Sequence, residues 1–209
     1  MKTIKQLSIK LVALVAVSLA FALPIKAQIS PNSYYNVDWQ FNIPLNNSFA
    51  DKASGWGMNF EGGYYVIPRM SVGAFLNYHT NNEYVGRETF TVNSSSVVTT
   101  DQQHSIFQLP FGASLRYRFS ESICQPYVGL KLGANYTRTS SSFYVLKATD
   151  NQWGFYMSPE VGVNIYPFMN NSIGFHIAAF YSYSTNKSAV LHYNVDALNN
   201  VGFRLGLAF

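Results

Sequence analysis

Three acids, Asp38, Glu61 and Glu160, and three bases, Arg116, Lys131 and Arg204, stand in segments that alternate apolar and polar residues. Each falls on the polar side of its segment. Gathered away from water, three carboxylates and three cations would have to neutralise one another, because a lone buried charge is costly. Such a group can act as a fixed ion-pair plug or as the lining of a gated path for small solutes. Both readings rest on the same residues, and both need a scaffold that turns six polar sites toward one interior.

Other chemistry has less support. Hydrolysis or acyl transfer needs a Ser nucleophile with a His base in hydrogen-bond reach and an acid behind it. His79 and His176 fall on polar registers, whereas His104 and His192 fall in candidate loops, and no His-x-Ser pattern occurs. His104 and Ser105 are neighbours and would point to opposite sides of a strand. Four scattered His and the single Cys124 match no metal-ligand spacing and allow no internal disulfide. The expectation is a chain without catalytic, cofactor-binding or metal-binding residues.

Stepping along the chain shows what must position the six charges. Lys2, Lys5 and Lys10 precede an apolar run from Leu11 to Leu23, closed by Pro24 and by small residues up to Ala27. This is the pattern of a secretory signal peptide, residues 1–27. The run is too short for a spanning helix, which takes roughly 20 residues. Four of the 14 basic residues (Lys2, Lys5, Lys10, Lys26) lie within residues 1–27, so residues 28–209 carry ten bases and ten acids. That balance removes any basic surface for nucleic acid. Charged residues are 11% of the chain and aromatic residues 16%. Soluble domains carry about 25% charged residues, so the composition points to strands in lipid.

Period-two alternation marks eight strands. Their apolar faces run from Tyr35, Val37, Trp39, Phe41 and Ile43 in the first to Val201, Phe203, Leu205, Leu207 and Phe209 in the last. The opposite faces carry Gly, Ser, Asn, Gln and the six charges. A lipocalin-like soluble barrel would show Lys and Glu on its wet face and could hardly hold so many bulky aromatics inside. The alternation therefore predicts an all-β, eight-stranded antiparallel up-and-down transmembrane barrel over residues 28–209, apolar side to lipid. Long connections (46–54, 81–103, 139–150, 186–195) alternate with short ones (67–69, 120–124, 167–171), as external loops and periplasmic turns do. The stretch "TFTVNSSSVVTT" reads as a hairpin continuing two strands above the membrane. Trp56, Tyr78, Phe107, Tyr136, Trp153, Tyr181 and Tyr183 band at one end; Tyr35, Tyr64, Tyr117, Phe119 and Phe209 band at the other. Pro110 and Pro159 fall inside strands of a barrel with no edge, which predicts bulges there.

"SLRYRF" followed by "QPYVGLKLGANY" (Ser114–Tyr136), with the closing alternation that ends on Phe209, resembles small outer-membrane barrels of the OmpA/OmpX/OmpW kind. The resemblance implies residence in the outer-membrane lipid as a monomer. It also implies that Phe203, Leu205, Leu207 and Phe209 form the signal read by the barrel-assembly machinery. Two functions stay open. One is a structural or surface-adhesive protein whose loops meet a surface ligand or host component. The other is a narrow OmpW-like channel for small, even apolar, solutes, favoured by Phe75, Tyr127, Tyr156 and Phe180 on the inner register.

Overall fold

The chain is described from a computed structural model covering residues 32–209 except 46, 48, 94–95, 145, 168–172 and 191–192. The signal peptide expected over 1–27, and His192, lie outside the described residues. Eight strands form a closed antiparallel ring. They are β1 (Ser33–Leu45), β2 (Gly57–Ile67), β3 (Met70–Asn93), β4 (Ser96–Arg118), β5 (Cys124–Phe143), β6 (Leu146–Ile165), β7 (Gly174–Ser184) and, after a small hairpin of β8 (Ser188–Val190) and β9 (Tyr193–Val195), β10 (Leu198–Ala208). Neighbours in sequence are neighbours in the ring, and β10 closes on β1. At that seam Trp39 faces Leu205 and Gln40 faces Arg204. The Phe209 N–H donates to the Tyr35 carbonyl at 2.8 Å, and the Tyr35 N–H donates to the Phe209 carbonyl at 3.0 Å.

The face that points inward is the polar one. Trp39 and Leu205 are 44% and 41% exposed, while Asp38 and Arg204 beside them are fully buried. A soluble barrel would reverse this. With the apolar side turned out, the lumen is a polar core in which hydrogen bonds and ion pairs must do what apolar packing does elsewhere. Close approach of the strands is part of that core. Gly112 faces Gly133 across β4 and β5, and a Cβ on Gly133 would collide with the Phe111 carbonyl.

Two expectations change in the structure. Pro110 and Pro159 produce no bulge. The β3–β4 register is the same at Leu76↔Phe111 and His79↔Gln108, on either side of Pro110. Likewise the β6–β7 register is the same at Met157↔Tyr183 and Glu160↔Phe180. A bulge adds a residue to one strand, and none is added. The ladder instead loses its pairs on one side of each proline, while Pro110 still faces Asn135 and Pro159 faces Leu130 on the other.

The second change concerns the long connections. Most of 81–103 and 139–150 is strand, with β3 and β4 paired up to Asn93↔Ser96 and β5 and β6 up to Phe143↔Leu146. β-branched residues such as Val97, Thr99 and Thr100 favour this extension. Because β2 meets β3 only as far as His79, the upper part of β3 stands as a sheet edge above the barrel.

Candidate functional site

The inner wall alternates long charged side chains with small residues opposite them. Glu160 faces Gly129, Arg204 faces Ala178, and Lys131 faces Ser114 and Ser158. The long chains therefore reach across the lumen rather than along it. Five of the six predicted charges meet directly. Lys131 Nζ lies 2.8 Å from Glu61 Oε2, an ion pair by distance rather than a directed hydrogen bond, and 2.9 Å from Glu160 Oε2. Arg116 Nη2 lies 3.1 Å from Glu61 Oε1 and 3.7 Å from Glu160 Oε1. Arg204 Nη1 pairs with Glu160 Oε2, and its Nε donates to Gln40 Oε1 at 2.8 Å. Glu160 is thus the hub, touched by all three cations.

Asp38 lies on the inner register with the others but is not paired directly with a base. No base of the set reaches it. Its Oδ2 accepts from Asn59 Nδ2 at 2.6 Å, and its Oδ1 lies 2.6 Å from His176 Nδ1. An ionised carboxylate only accepts, so Nδ1 is the donor of that pair. His176 Nε2 is 2.6 Å from the Tyr127 hydroxyl, which also lies 3.1 Å from Glu160 Oε1. On the other side, Lys131 donates to Asn59 Oδ1 at 2.9 Å. Asp38 therefore joins the network through Asn59 on one side and through His176 and Tyr127 on the other. The directly paired groups carry three positive and two negative charges, and Asp38 brings the formal sum to zero.

Aromatic rings pack against the charges. Arg116 is clamped between the rings of Tyr34 and Tyr127, at 4.2 and 3.7 Å from their centroids, and Arg204 lies 4.0 Å from that of Phe180. The Tyr34 hydroxyl donates to Glu61 Oε1 at 2.7 Å. The amide of Asn36 is assigned with its oxygen toward Arg116, 3.1 and 2.9 Å from the two terminal nitrogens, the orientation the surrounding donors require. Phe75 and Tyr156 pack against each other at a tilt of 38°, with ring centroids 5.7 Å apart, and the Phe75 ring lies 5.8 Å from Lys131 Nζ. The inner aromatics read as a channel lining are thus engaged with the charges or with each other. Tyr34, Gln40, Asn59 and the bridging part of His176 are the participants that the charge pattern alone does not reveal. All four sit in phase with Asn36 and Asp38 or with other inner residues, which is the signal available for them.

Both ends of the lumen are covered. At the end with the short connections Tyr65 and Tyr166 are buried, and Arg118 lies 3.9 Å over the Tyr65 ring while donating twice to the Pro68 carbonyl. At the other end Phe49, Ala50, Ile106, Val190, Val195 and Leu198 form an apolar cluster. The His104 ring stacks on Phe49 at 4.1 Å, with an interplanar angle of 3°, and its Nδ1 lies 2.7 Å from the Phe49 carbonyl. The β1–β2 loop and the β8–β9 hairpin together form this lid. It is pinned by Asp150, whose carboxylate accepts from Ser188 and from the Ala189 N–H. Burial pushes the Asp150 carboxyl up, but these hydrogen bonds outweigh it and hold it below the usual carboxylate range. Phe203, Leu205 and Leu207 face outward, and Phe209 is half-buried at the seam.

A charged interior inside an apolar, lipid-facing wall is what a protein of the outer membrane needs, and the outer membrane protein beta-barrel domain matches residues 13–209. The chain belongs to this family. This outer-membrane barrel also resembles solved structures. One is Ail, the attachment invasion locus protein of Yersinia pestis, at 16% identity over 85% of this chain and 98% of that one, with a TM-score of 0.48. Another is Neisserial surface protein A, at 15% identity over 84% and 95%, with a TM-score of 0.47. The outer membrane protease OmpT of Escherichia coli shares 7% identity over 86% and 97%, with a TM-score of 0.50, a likeness of fold alone. No curated protein matches the chain. The barrel resides in the outer membrane, its apolar wall in lipid. No group of His, Cys, Asp and Glu suited to a metal ion occurs among the described residues.

Removing one partner of a buried pair leaves the other charged and unpaired, at a cost of roughly 3–5 kcal/mol. Glu160→Gln and Arg204→Met should each destabilise the barrel by an amount of that order. The double variant should lose less than the sum. Urea unfolding in detergent micelles or lipid vesicles checks this, and additive losses would show that the two side chains act independently.

Proposed function

We propose that this outer-membrane barrel is a structural and surface-adhesive protein with a closed lumen. The observation that carries the reading is the occupation of the lumen by the Glu61–Arg116–Lys131–Glu160–Arg204 network, between a tyrosine floor and an apolar lid. The side chains of this network are each at most 5% exposed, which supports a closed lumen. The surface left for partners is the sheet of β3 to β6 above the membrane. The edge of β3 beyond Thr80 presents backbone groups to which an extended segment of a ligand can add as a further strand.

The narrow-channel reading is weaker for a specific reason. It drew on Phe75, Tyr127, Tyr156 and Phe180, and Tyr127 and Phe180 lie against the Arg116 and Arg204 guanidinium groups rather than lining a passage. An enzymatic role has one constellation to consider, because Asp38, His176 and the Tyr127 hydroxyl have the connectivity of an activated nucleophile. Tyr127 is 1% exposed, and its ring lies against the Arg116 guanidinium, so its hydroxyl is not presented to a substrate from outside. We read the barrel as non-enzymatic and monomeric, working without a cofactor.

In planar bilayers the wild type should conduct little, and Glu160→Gln should raise its conductance by loosening the hub. A steady, high conductance that neither Glu160→Gln nor Arg204→Met alters would refute the closed lumen and put the channel ahead. Phe203, Leu205, Leu207 and Phe209 serve, in this reading, as the address for the barrel-assembly machinery. Deleting Phe209 should then lower the inserted barrel in outer-membrane fractions while export to the periplasm continues. Normal insertion of the truncated chain would remove that role.

A further inference from the structure

Above the ion network the inner wall changes character. Seven side-chain atoms there have no hydrogen-bond partner: Asn42 Nδ2, both ring nitrogens of His79, Asn135 Oδ1, the Tyr156 hydroxyl, and the Ser158 and Ser182 hydroxyls. All six residues are at most 1% exposed. Their strands place them at one level. Ser158 lies opposite Ser182 in the constant β6–β7 register, and Tyr156 is one inward position above Ser158. Asn42 is one inward position above Gln40, and His79 pairs with Gly57 of β2. Of the intervening inner positions, Gly57, Gly112, Gly133 and Gly202 carry no side chain that could partner them.

The neighbouring residues hold these groups in place without satisfying them. Arg204 donates to Gln40, and Gln40 Nε2 donates to Asn42 Oδ1 at 2.8 Å, which leaves the Asn42 amino group turned away from the network. Tyr156 is fixed by its ring against Phe75. The two hydrogens of Asn135 Nδ2 have acceptors to choose among in Gln108, Thr137, Ser184 and Asn186, which leaves its oxygen. Buried hydroxyls, amides and imidazoles almost always find a partner. A level that mixes donors and acceptors of no net charge suits water, which takes about three hydrogen bonds at a buried site.

We propose that Asn42, His79, Asn135, Tyr156, Ser158 and Ser182 form a binding site for a small cluster of internal water, enclosed between the ion network below and the apolar lid above. About three water molecules are needed to serve seven atoms at about three bonds each. The cluster exchanges with bulk only when the lid or the network opens. It is a trapped layer and not part of a continuous water column.

Water-selective magnetisation transfer on the isotope-labelled full barrel in nanodiscs tests this. Long-lived water should give cross-peaks to the Asn42 side-chain amide and to backbone amides next to His79 and Ser182. A Ser158→Ala, Ser182→Ala pair should weaken them with the strand amide pattern retained; should that pair fold poorly, Ser182→Ala alone should still weaken those at Ser182. Absence of cross-peaks in the wild type would overturn the proposal. So would resonances of these groups that titrate with chloride at constant ionic strength, because the occupant would then be an anion. Cross-peaks unchanged in both variants would also overturn it, placing the water elsewhere.

Discussion

Neutrality of the buried lumen is the constraint on which the other features depend. A barrel that turns its apolar side to lipid must line its interior with polar groups, and here those groups include three acids and three bases. In a medium of low dielectric each charge needs its opposite within a few ångströms. Glu160 meets this for three cations at once, and Glu61 for two of the same three. The remaining positive charge is offset by Asp38, which reaches the network through Asn59 and through the His176–Tyr127 bridge. Without Asp38 the paired set would carry a net positive charge.

Geometry follows from that chemistry. Arginine and lysine stems are long, so they need space opposite their points of attachment, and Gly129, Ala178, Ser114 and Ser158 leave it. Their apolar and guanidinium surfaces also need cover, which Tyr34, Tyr127 and Phe180 give by stacking. The aromatic side chains inside are thus complements to cations, while those outside face lipid. Closing the ends with Tyr65 and Tyr166 below and the Phe49 cluster above keeps bulk water from competing for the pairs. In the proposed reading, a closed lumen leaves the projecting sheet as the part of the molecule that can meet another molecule, which would tie the interior chemistry to a surface function.

Most of the barrel was legible in the sequence because one period governs every strand. Alternation fixed the inner and outer registers of residues such as Asp38 and Trp39, and the scarcity of Lys and Glu on the polar side decided which face met lipid. The prolines misled because a missing donor in a closed sheet looks like a defect that a bulge must absorb. The ring tolerates it, since Pro110 and Pro159 each interrupt one side of the ladder and keep their place on the other. Partners within the site were less readable. Register puts Asp38 among the charges, but which side chain its carboxylate meets depends on strand stagger and side-chain reach. Those belong to the closed ring and to no single segment. The same holds for Tyr127, whose hydroxyl and ring do different work on two sides.

The ammonium protons of Lys131 report most directly on a sealed, compensated network. The account predicts that they exchange with solvent no faster than the backbone amides of the surrounding strands, whereas those of the exposed Lys147 exchange rapidly in the same sample. Lys131 protons that exchanged as fast as those of Lys147, in a barrel whose strand amides remained protected, would contradict it.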